Sequence, residues 1–182
     1  MTSTPQAPIA AAIRERASRI RLACFDVDGT LTDGRLYYDS EGRESKAFHV
    51  LDGQGLVLLR RAGIEVALIT ARDSKAAAHR AADLGVRAFT GARDKLGQVR
   101  ALCDELGISL EATSFMGDDL PDLASIQAVG LGVAPANAHR WVAERADHVT
   151  VATGGAGAAR ELCDLLLESQ DRLDALLTEW TH

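Results

Sequence analysis

Two aspartates, Asp26 and Asp28, directly follow the apolar run at residues 22–25. A carboxylate at the end of a buried strand is costly unless a metal ion or hydrogen bonds satisfy it. The next residues, Gly29 and Thr30, permit a tight turn whose backbone amides can cradle an anion. A turn without further function is the simpler alternative, since Asp and Gly are common turn residues. The pattern favours a site for an anion and a metal.

A second acidic motif, Gly117-Asp118-Asp119-Leu120-Pro121-Asp122, follows the apolar run at residues 114–116. If the two runs form adjacent parallel strands, Asp118 meets Asp26 and Asp28 at their carboxyl ends, where ligands bind in open α/β sheets. Hard oxygen ligands that leave positions for water and phosphate suit Mg²⁺ better than zinc or an all-protein calcium cage. Asp119 and Asp122 either belong to this site or cap the next helix.

Two further residues are able to bind phosphate. Thr70 ends the apolar run at residues 65–69, so its hydroxyl could donate to a phosphate oxygen at the same sheet edge, although an ordinary strand-end role is common. Lys95 lies near a predicted helix start, where a surface role is the default. The chain has only three lysines, so a lysine within this motif order is informative.

The elements that must position these residues alternate between short apolar runs and segments of helical periodicity. Such alternation predicts a three-layer, Rossmann-like α/β fold with a parallel sheet between helices. The predicted strands are 22–25, 66–69, 88–89, 114–116, 131–133 and 148–151, and the predicted helices are 53–63, 74–85, 93–107, 120–128, 138–145 and 157–178.

One stretch breaks the alternation. Residues 35–38 and 46–50 flank the turn-like cluster 39–42, which predicts a protruding β-hairpin. It is either a surface decoration or an oligomer contact, because a lone hairpin that presents Tyr37, Tyr38 and Phe48 needs a surface to pack against.

Length and charge limit the remaining possibilities. With 182 residues the chain suits one domain, predicted at 20–182, after an N-terminal tail at 1–19 that comprises disordered residues 1–8 and a short helix. The formal charge of −6 argues against a nucleic-acid partner. No long apolar segment or signal peptide is evident, and the three cysteines lack metal spacing, so no membrane association and a cytoplasmic location are predicted.

The combined motifs resemble the haloacid dehalogenase-like superfamily of phosphatases and phosphotransferases. This resemblance implies that Asp26 is the nucleophile and that Asp28 is first the general acid and then the general base. Thr70 and Lys95 would bind phosphate, and Mg²⁺ would lie on Asp26, the backbone carbonyl of Asp28, and Asp118. The matching residues are Asp26-x-Asp28-Gly29-Thr30, Thr70, Lys95 and Gly117-Asp118-Asp119.

The spacing also indicates which branch of the superfamily is resembled. About forty residues separate Asp28 and Thr70, so no helical cap domain fits between them, and a capless site must be closed by a large substrate or a neighbouring subunit. The chain resembles the 3-deoxy-D-manno-octulosonate (KDO) 8-phosphate phosphatases, tetramers of lipopolysaccharide synthesis that act on a sugar acid phosphate. The segments that carry this resemblance are 33–34 with the hairpin, 46–50, 52–56, 117–120, 146–150 and 154–158.

This narrower resemblance implies further substrate-binding residues beside Asp28 and Lys95. The glycines would let backbone approach a sugar, and the arginines could bind a carboxylate bidentately, although a solvated helix-face role is equally open for Arg80. The Gly-rich residues 154–157 would help close a neighbouring site, or form a mobile loop. The residues implied are Asp52, Gly53, Gln54, Gly55, Leu56, Arg72 and Arg80.

Departures from the family pattern leave alternatives open. Leu51, Ala71 and Ala156 stand where that family usually has basic residues or glycine, which affects sugar specificity rather than phosphate chemistry. One alternative is a phosphatase for a nine-carbon sugar acid, such as sialic acid or KDN 9-phosphate. A phospho-accepting receiver domain fits less well, because there the lysine follows the last acid, whereas Lys95 precedes Asp118. A non-catalytic relative is weakened because every chemical position is filled.

Overall fold

The structure is a computed structural model that describes residues 9–178. The disorder predicted for residues 1–8 lies outside the described residues, as do residues 179–182. A short helix, α1 (Ala11–Ala17), precedes the sheet, as the sequence predicts. No helix within residues 9–178 is long and apolar enough to cross a membrane.

Within the described residues, six parallel strands form the central sheet and two antiparallel strands form a hairpin. All six strands predicted for the sheet are present, although the last is shorter than predicted. In chain order the strands are β1 (Leu22–Phe25), β2 (Tyr37–Tyr38), β3 (Glu44–Ser45), β4 (Glu65–Ile69), β5 (Arg87–Phe89), β6 (Thr113–Met116), β7 (Leu131–Ala134) and β8 (His148–Val149).

Helices cover both faces of the sheet, as the predicted three-layer architecture requires. Alternate side chains of β1 point to opposite faces. Ala23 and Phe25 pack into one apolar cluster, and Leu22 and Cys24 into the other. The helices after α1 are α2 (Val50–Arg61), α3 (Lys75–Leu84), α4 (Lys95–Leu106), α5 (Leu120–Ala128), α6 (Arg140–Ala143), α7 (Ala158–Ser169) and α8 (Leu173–Thr178). The first cluster contains residues of α1, α2, α3, α7 and α8, and the second contains residues of α4, α5 and α6.

The strand order determines where a ligand can bind. The sheet order is β5-β4-β1-β6-β7-β8, so the chain moves from β1 toward one edge and later returns to β6 on the other side of β1. This reversal leaves a crevice at the carboxyl ends of β1 and β6, the usual ligand position in such sheets.

The hairpin prediction is correct in kind but wrong in register. Tyr37 pairs with Ser45 and Tyr38 with Glu44, so the second strand is not at 46–50. The Asp39 carboxylate accepts hydrogen bonds from the backbone of Glu41 and Arg43, both at 2.9 Å, which closes the turn early. The residues after Ser45 instead lead into α2, whose first residue is already Val50.

The predicted helix at 157–178 is two helices. The chain leaves α7 after Ser169, and Asp171 adopts a left-handed conformation with φ 53°, which interrupts the helix before α8 begins at Leu173. Gln170 at this break donates to the carbonyls of Ala17 and Ile20, at 3.1 and 2.9 Å, so the break also anchors the N-terminal segment.

Candidate active site

A cleft of about 280 Å³ lies at the carboxyl ends of β1, β4 and β6. It brings together every residue predicted to act in catalysis or metal binding. These residues are Asp26, Asp28, Thr70, Lys95 and Asp118.

Strand register and one glycine set the separation of the two acidic motifs. Phe25 of β1 lies opposite Met116 of β6, and Asp26 N donates to the Met116 carbonyl at 2.8 Å. Gly29 has φ +87°, and a Cβ there would collide with the Asp118 carboxylate. A glycine therefore lets the turn after Asp28 approach Asp118 closely.

Three carboxylates and one ammonium group lie close together in the cleft. Asp26, Asp118 and Asp122 each place an oxygen within 4.8 Å of the others. Lys95 Nζ lies 2.6 Å from Asp26 Oδ1 and 2.5 Å from Asp122 Oδ1. Asp122 Oδ2 also accepts hydrogen bonds from the backbone N–H groups of Asp118, at 3.1 Å, and Asp119, at 3.3 Å. Asp122 therefore both holds Lys95 and caps α5, while Asp119 is the N-cap residue of that helix.

Because these side chains are buried, their charged forms are costly. Desolvation raises the pKa of Asp26, the nearby Asp122 raises it further, and Lys95 opposes the shift. Desolvation with Asp122 and Asp119 raises the pKa of Asp118 to about 6. Burial opposes the charge on Lys95, but the carboxylates of Asp26 and Asp122 outweigh it and raise the pKa of the lysine. One ammonium does not balance three carboxylates, and a hard divalent cation such as Mg²⁺ fits this excess of oxygen donors.

Lys46 and Glu44, at the end of the hairpin, belong to the site and were missed in the sequence interpretation. Lys46 Nζ contacts Asp28 Oδ1 and lies 2.9 Å from Glu44 Oε1, and only 2% of the lysine side chain is exposed. The scarcity of lysine in the chain, which drew attention to Lys95, was an equally good signal for Lys46.

Arg72 is the one predicted substrate-binding arginine that lines the cleft. Its Nη2 donates to Glu44 Oε2 and, at 2.8 Å, to the Tyr38 hydroxyl, and these hydrogen bonds raise the pKa of Arg72. The contacts fix the guanidinium between the hairpin and the cleft, with 40% of the side chain still exposed.

The predicted substrate segment 52–56 lies within α2 and does not line this cleft. Asp52 accepts hydrogen bonds from the backbone of Arg160, at 2.8 Å, and Gly157, at 3.3 Å, at the start of α7. Gly53 and Gly55 are buried helix residues that lie close to side chains of neighbouring helices. A Cβ at Gly53 would meet Arg80, and one at Gly55 would meet Arg160. Within the described chain the two glycines lie where α2 packs against α3 and α7, so a backbone approach to a sugar stays a prediction for the assembled protein.

The other residues predicted to bind substrate, Arg80, Leu56 and Gln54, also lie outside the cleft. Arg80 lies with its guanidinium carbon 5.8 Å from the Phe48 ring centroid, beside α2. Leu56 is a core residue with 1% exposure, and Gln54 lines a different pocket with Leu58 and Leu176. In each case the helix layer, rather than the strand ends, determines the position.

The Gly-rich residues 154–157 pack against the turn that follows Asp28 in the same chain. Gly155 N donates to the Thr30 carbonyl at 3.0 Å, and Gly154 N donates to Asn137 Oδ1 at 2.7 Å. A Cβ at Gly154 would collide with the Gly29 carbonyl. The absence of side chains thus lets this segment support the turn that follows Asp28.

Comparisons with known proteins show which family the chain resembles over most of its length. The family model for haloacid dehalogenase-like hydrolases matches residues 90–162. The KDO 8-phosphate phosphatase KdsC of Escherichia coli strain B is 43% identical over 173 residues, which cover 94% of this chain and 92% of that protein.

Solved structures share the whole fold. A hypothetical protein from Xanthomonas campestris is 56% identical with a TM-score of 0.96, and the match covers 100% of both chains. The KDO 8-phosphate phosphatase of Moraxella catarrhalis, solved with magnesium ion, phosphate ion and KDO, is 41% identical with a TM-score of 0.90 over 92% of this chain and 97% of that one. The chain belongs to the 3-deoxy-D-manno-octulosonate 8-phosphate phosphatase family of haloacid dehalogenase-like hydrolases.

Proposed function

We propose that the protein is a Mg²⁺-dependent phosphatase that hydrolyses KDO 8-phosphate to KDO and inorganic phosphate in lipopolysaccharide biosynthesis. The observation that carries this proposal is the convergence of Asp26, Asp28, Thr70, Lys95 and Asp118 on one cleft at the reversal point of the sheet. The substrate is taken from the family to which the chain belongs.

In the first half of the reaction, Asp26 is the nucleophile. An ionised carboxylate attacks phosphorus with no proton to lose. A bond forms between the Asp26 carboxylate oxygen and phosphorus while the bond from phosphorus to the sugar oxygen breaks. The leaving sugar oxygen keeps the electron pair and takes a proton from the carboxyl group of Asp28, so KDO departs as a neutral alcohol at that position.

In the second half, water replaces the aspartate on phosphorus. Asp28, now ionised, accepts a proton from the attacking water. The bond between phosphorus and the Asp26 oxygen breaks and returns its electron pair to the carboxylate. Inorganic phosphate leaves, and the proton now on Asp28 readies the site for the next substrate.

The remaining residues bind and orient the phosphate. Thr70 is 2% exposed, and its hydroxyl oxygen accepts a hydrogen bond from the backbone N–H of Arg72 at 3.3 Å. The hydroxyl proton is therefore left to donate to a phosphate oxygen. Lys95 would contact the phosphate as well as Asp26. Mg²⁺ held by Asp26, Asp118 and the backbone carbonyl of Asp28 would supply charge neutralisation between the phosphate and the carboxylates.

Assembly and location form part of the proposal. We infer a homotetramer in which neighbouring subunits close the open clefts, supported by exposed apolar side chains on the hairpin and at the start of α2. The exposed apolar side chains are Leu36, Tyr37, Tyr38, Val50 and Leu51.

A cytoplasmic location is supported by three cysteines that are free and buried. We further assign residues 20–182 to a single hydrolase domain.

The test is phosphate release from KDO 8-phosphate by the purified full-length chain. With Mg²⁺ present we expect stoichiometric KDO and phosphate. Removal of divalent ions by a chelator should abolish release, and added Mg²⁺ should restore it. Unchanged turnover in the chelated protein would contradict the metal requirement, and no release under any of these conditions would contradict the proposed substrate.

A further inference from the structure

The two carboxylate oxygens of Asp28 have different surroundings. Oδ1 contacts the Lys46 ammonium. Oδ2 is buried and has no hydrogen-bond partner, and the Arg72 Nε atom lies 3.8 Å away from it. Asp28 lines the cleft, and of its two carboxylate oxygens Oδ2 is the one without a hydrogen bond. An unsatisfied buried acceptor is costly, and a donor brought by a bound ligand would remove that cost.

Lys46 is itself held in place. Its side chain is almost fully buried, and its second carboxylate partner is Glu44 Oε1 at 2.9 Å. Glu44 in turn accepts hydrogen bonds from Arg72 Nη2 and, at 3.3 Å, from Ser74 Oγ. Burial opposes the charge on Glu44, but the hydrogen bonds from Lys46 and Arg72 outweigh it and lower the pKa of this side chain. A buried lysine is stable when carboxylates pair with its charge, and here two carboxylates contact the ammonium group.

Resting on the proposed function, we propose that Lys46 is a positioning residue that holds Asp28 by Oδ1 so that Oδ2 exchanges the proton with the leaving oxygen and then with water. The bond that breaks in the first half is the one between Oδ2 and its proton, which passes to the sugar oxygen as the phosphorus–oxygen electron pair moves there. In the second half, a proton from the attacking water returns to Oδ2. The hairpin is then part of the catalytic machinery of its own chain, because β3 ends one residue before Lys46.

The test compares two leaving groups in single-turnover experiments on Lys46→Met and wild type. The alkoxide of KDO 8-phosphate needs a proton to leave, whereas the nitrophenolate of p-nitrophenyl phosphate does not. We expect Lys46→Met to slow phosphoryl transfer from KDO 8-phosphate about 100-fold or more, and from p-nitrophenyl phosphate less than about tenfold. The substrate dissociation constants should change little. The matched control is Lys75→Met, which removes an exposed lysine at the start of α3 and should leave both rates within about twofold.

Equal losses for the two leaving groups, or no loss, would overturn the positioning role, because a purely structural defect does not depend on the leaving group. Thermal unfolding checks that the variant is folded. If Lys46→Met does not fold, Glu44→Gln loosens the lysine from its other side and should give a smaller loss of the same leaving-group dependence. A wild type that hydrolyses no phosphomonoester would contradict the proposed function and this inference with it. An active wild type with a leaving-group-independent Lys46→Met defect contradicts the positioning role alone.

Discussion

Asp26 is the residue for which the site has no substitute. Its carboxylate lies 2.6 Å from Lys95 and within 4.8 Å of oxygens of Asp118 and Asp122, so an amide fits the same space but cannot accept the phosphoryl group. We predict that Asp26→Asn retains the fold and lowers kcat at least about 1,000-fold. Circular dichroism and phosphate release measure the two effects. Asp104→Asn, an exposed change on α4, should keep wild-type activity. Near-normal turnover in Asp26→Asn would rule out the nucleophile assignment.

Asp118 links the metal site to stability. Its pKa is raised from 3.8 to about 6, so between pH 4 and 6 the folded protein binds more protons than the unfolded chain. Stability of the metal-free protein therefore falls as pH rises through this window. The variant Asp118→Asn has no carboxyl group to titrate at this position, so its stability should not fall in this way. We predict that the difference in unfolding free energy, variant minus wild type, increases by on the order of 2 kcal/mol between pH 4 and 7.

Urea unfolding with a chelator present measures this difference. Added Mg²⁺ should stabilise the wild type at pH 7 and have much less effect on Asp118→Asn, since the metal binds the folded state through this carboxylate. A stability difference that is constant across pH, or equal stabilisation of both proteins by Mg²⁺, would count against the assignment.

Some residues of the site could be predicted from the sequence and others could not. Asp26, Asp28 and Asp118 were predictable because strand ends and tight turns are local features, and parallel strands bring such ends together. Lys46 and Glu44 were not identified, because their partners Asp28 and Arg72 come from other elements and the predicted register of the hairpin was wrong.

At the scale of elements, α2 and α7 pack through Asp52, which the sequence interpretation assigned to substrate binding. Its carboxylate accepts from the backbone of Gly157 and Arg160, and burial raises its pKa against those hydrogen bonds. We predict that Asp52→Asn lowers stability by about 1–3 kcal/mol, because one acceptor becomes a donor facing N–H groups. KM should change little.

Asp83→Asn, an exposed change on α3, is the matched control for Asp52→Asn and should alter neither quantity. Urea unfolding and steady-state kinetics separate the two effects. If KM for the sugar acid phosphate rises while stability is unchanged, Asp52 binds substrate in the assembled enzyme and the packing interpretation fails.

The elements themselves were largely predictable. Apolar runs and helical periodicity placed all six sheet strands, and helices α3 and α4 are each followed by a left-handed glycine, Gly85 and Gly107. The helix break at Asp171 was missed, because an aspartate with positive φ carries no sequence signal comparable to glycine. The glycines of α2 were assigned to ligand approach, and the structure adds a close contact with neighbouring helices that sequence alone does not reveal.

At the scale of the whole molecule, the described chain leaves the cleft open and exposes apolar side chains on the hairpin and at the start of α2. Tyr38 is 55% exposed and Val50 is 78% exposed. Such surfaces favour association with a neighbouring copy. We predict by sedimentation equilibrium a mass about four times that of the 19.4 kDa chain. A monomer at micromolar concentration would contradict closure of the site by neighbouring subunits.

The substrate preference of the purified protein is the decisive measurement for the proposed function. With Mg²⁺ present, kcat/KM is measured for KDO 8-phosphate and for the 9-phosphates of KDN and sialic acid, since discrimination between substrates is the ratio of these constants. The proposed function predicts that KDO 8-phosphate has the highest kcat/KM and that Asp26→Asn abolishes its hydrolysis. A strong preference for a nine-carbon sugar acid, or hydrolysis of KDO 8-phosphate without Asp26, would contradict it.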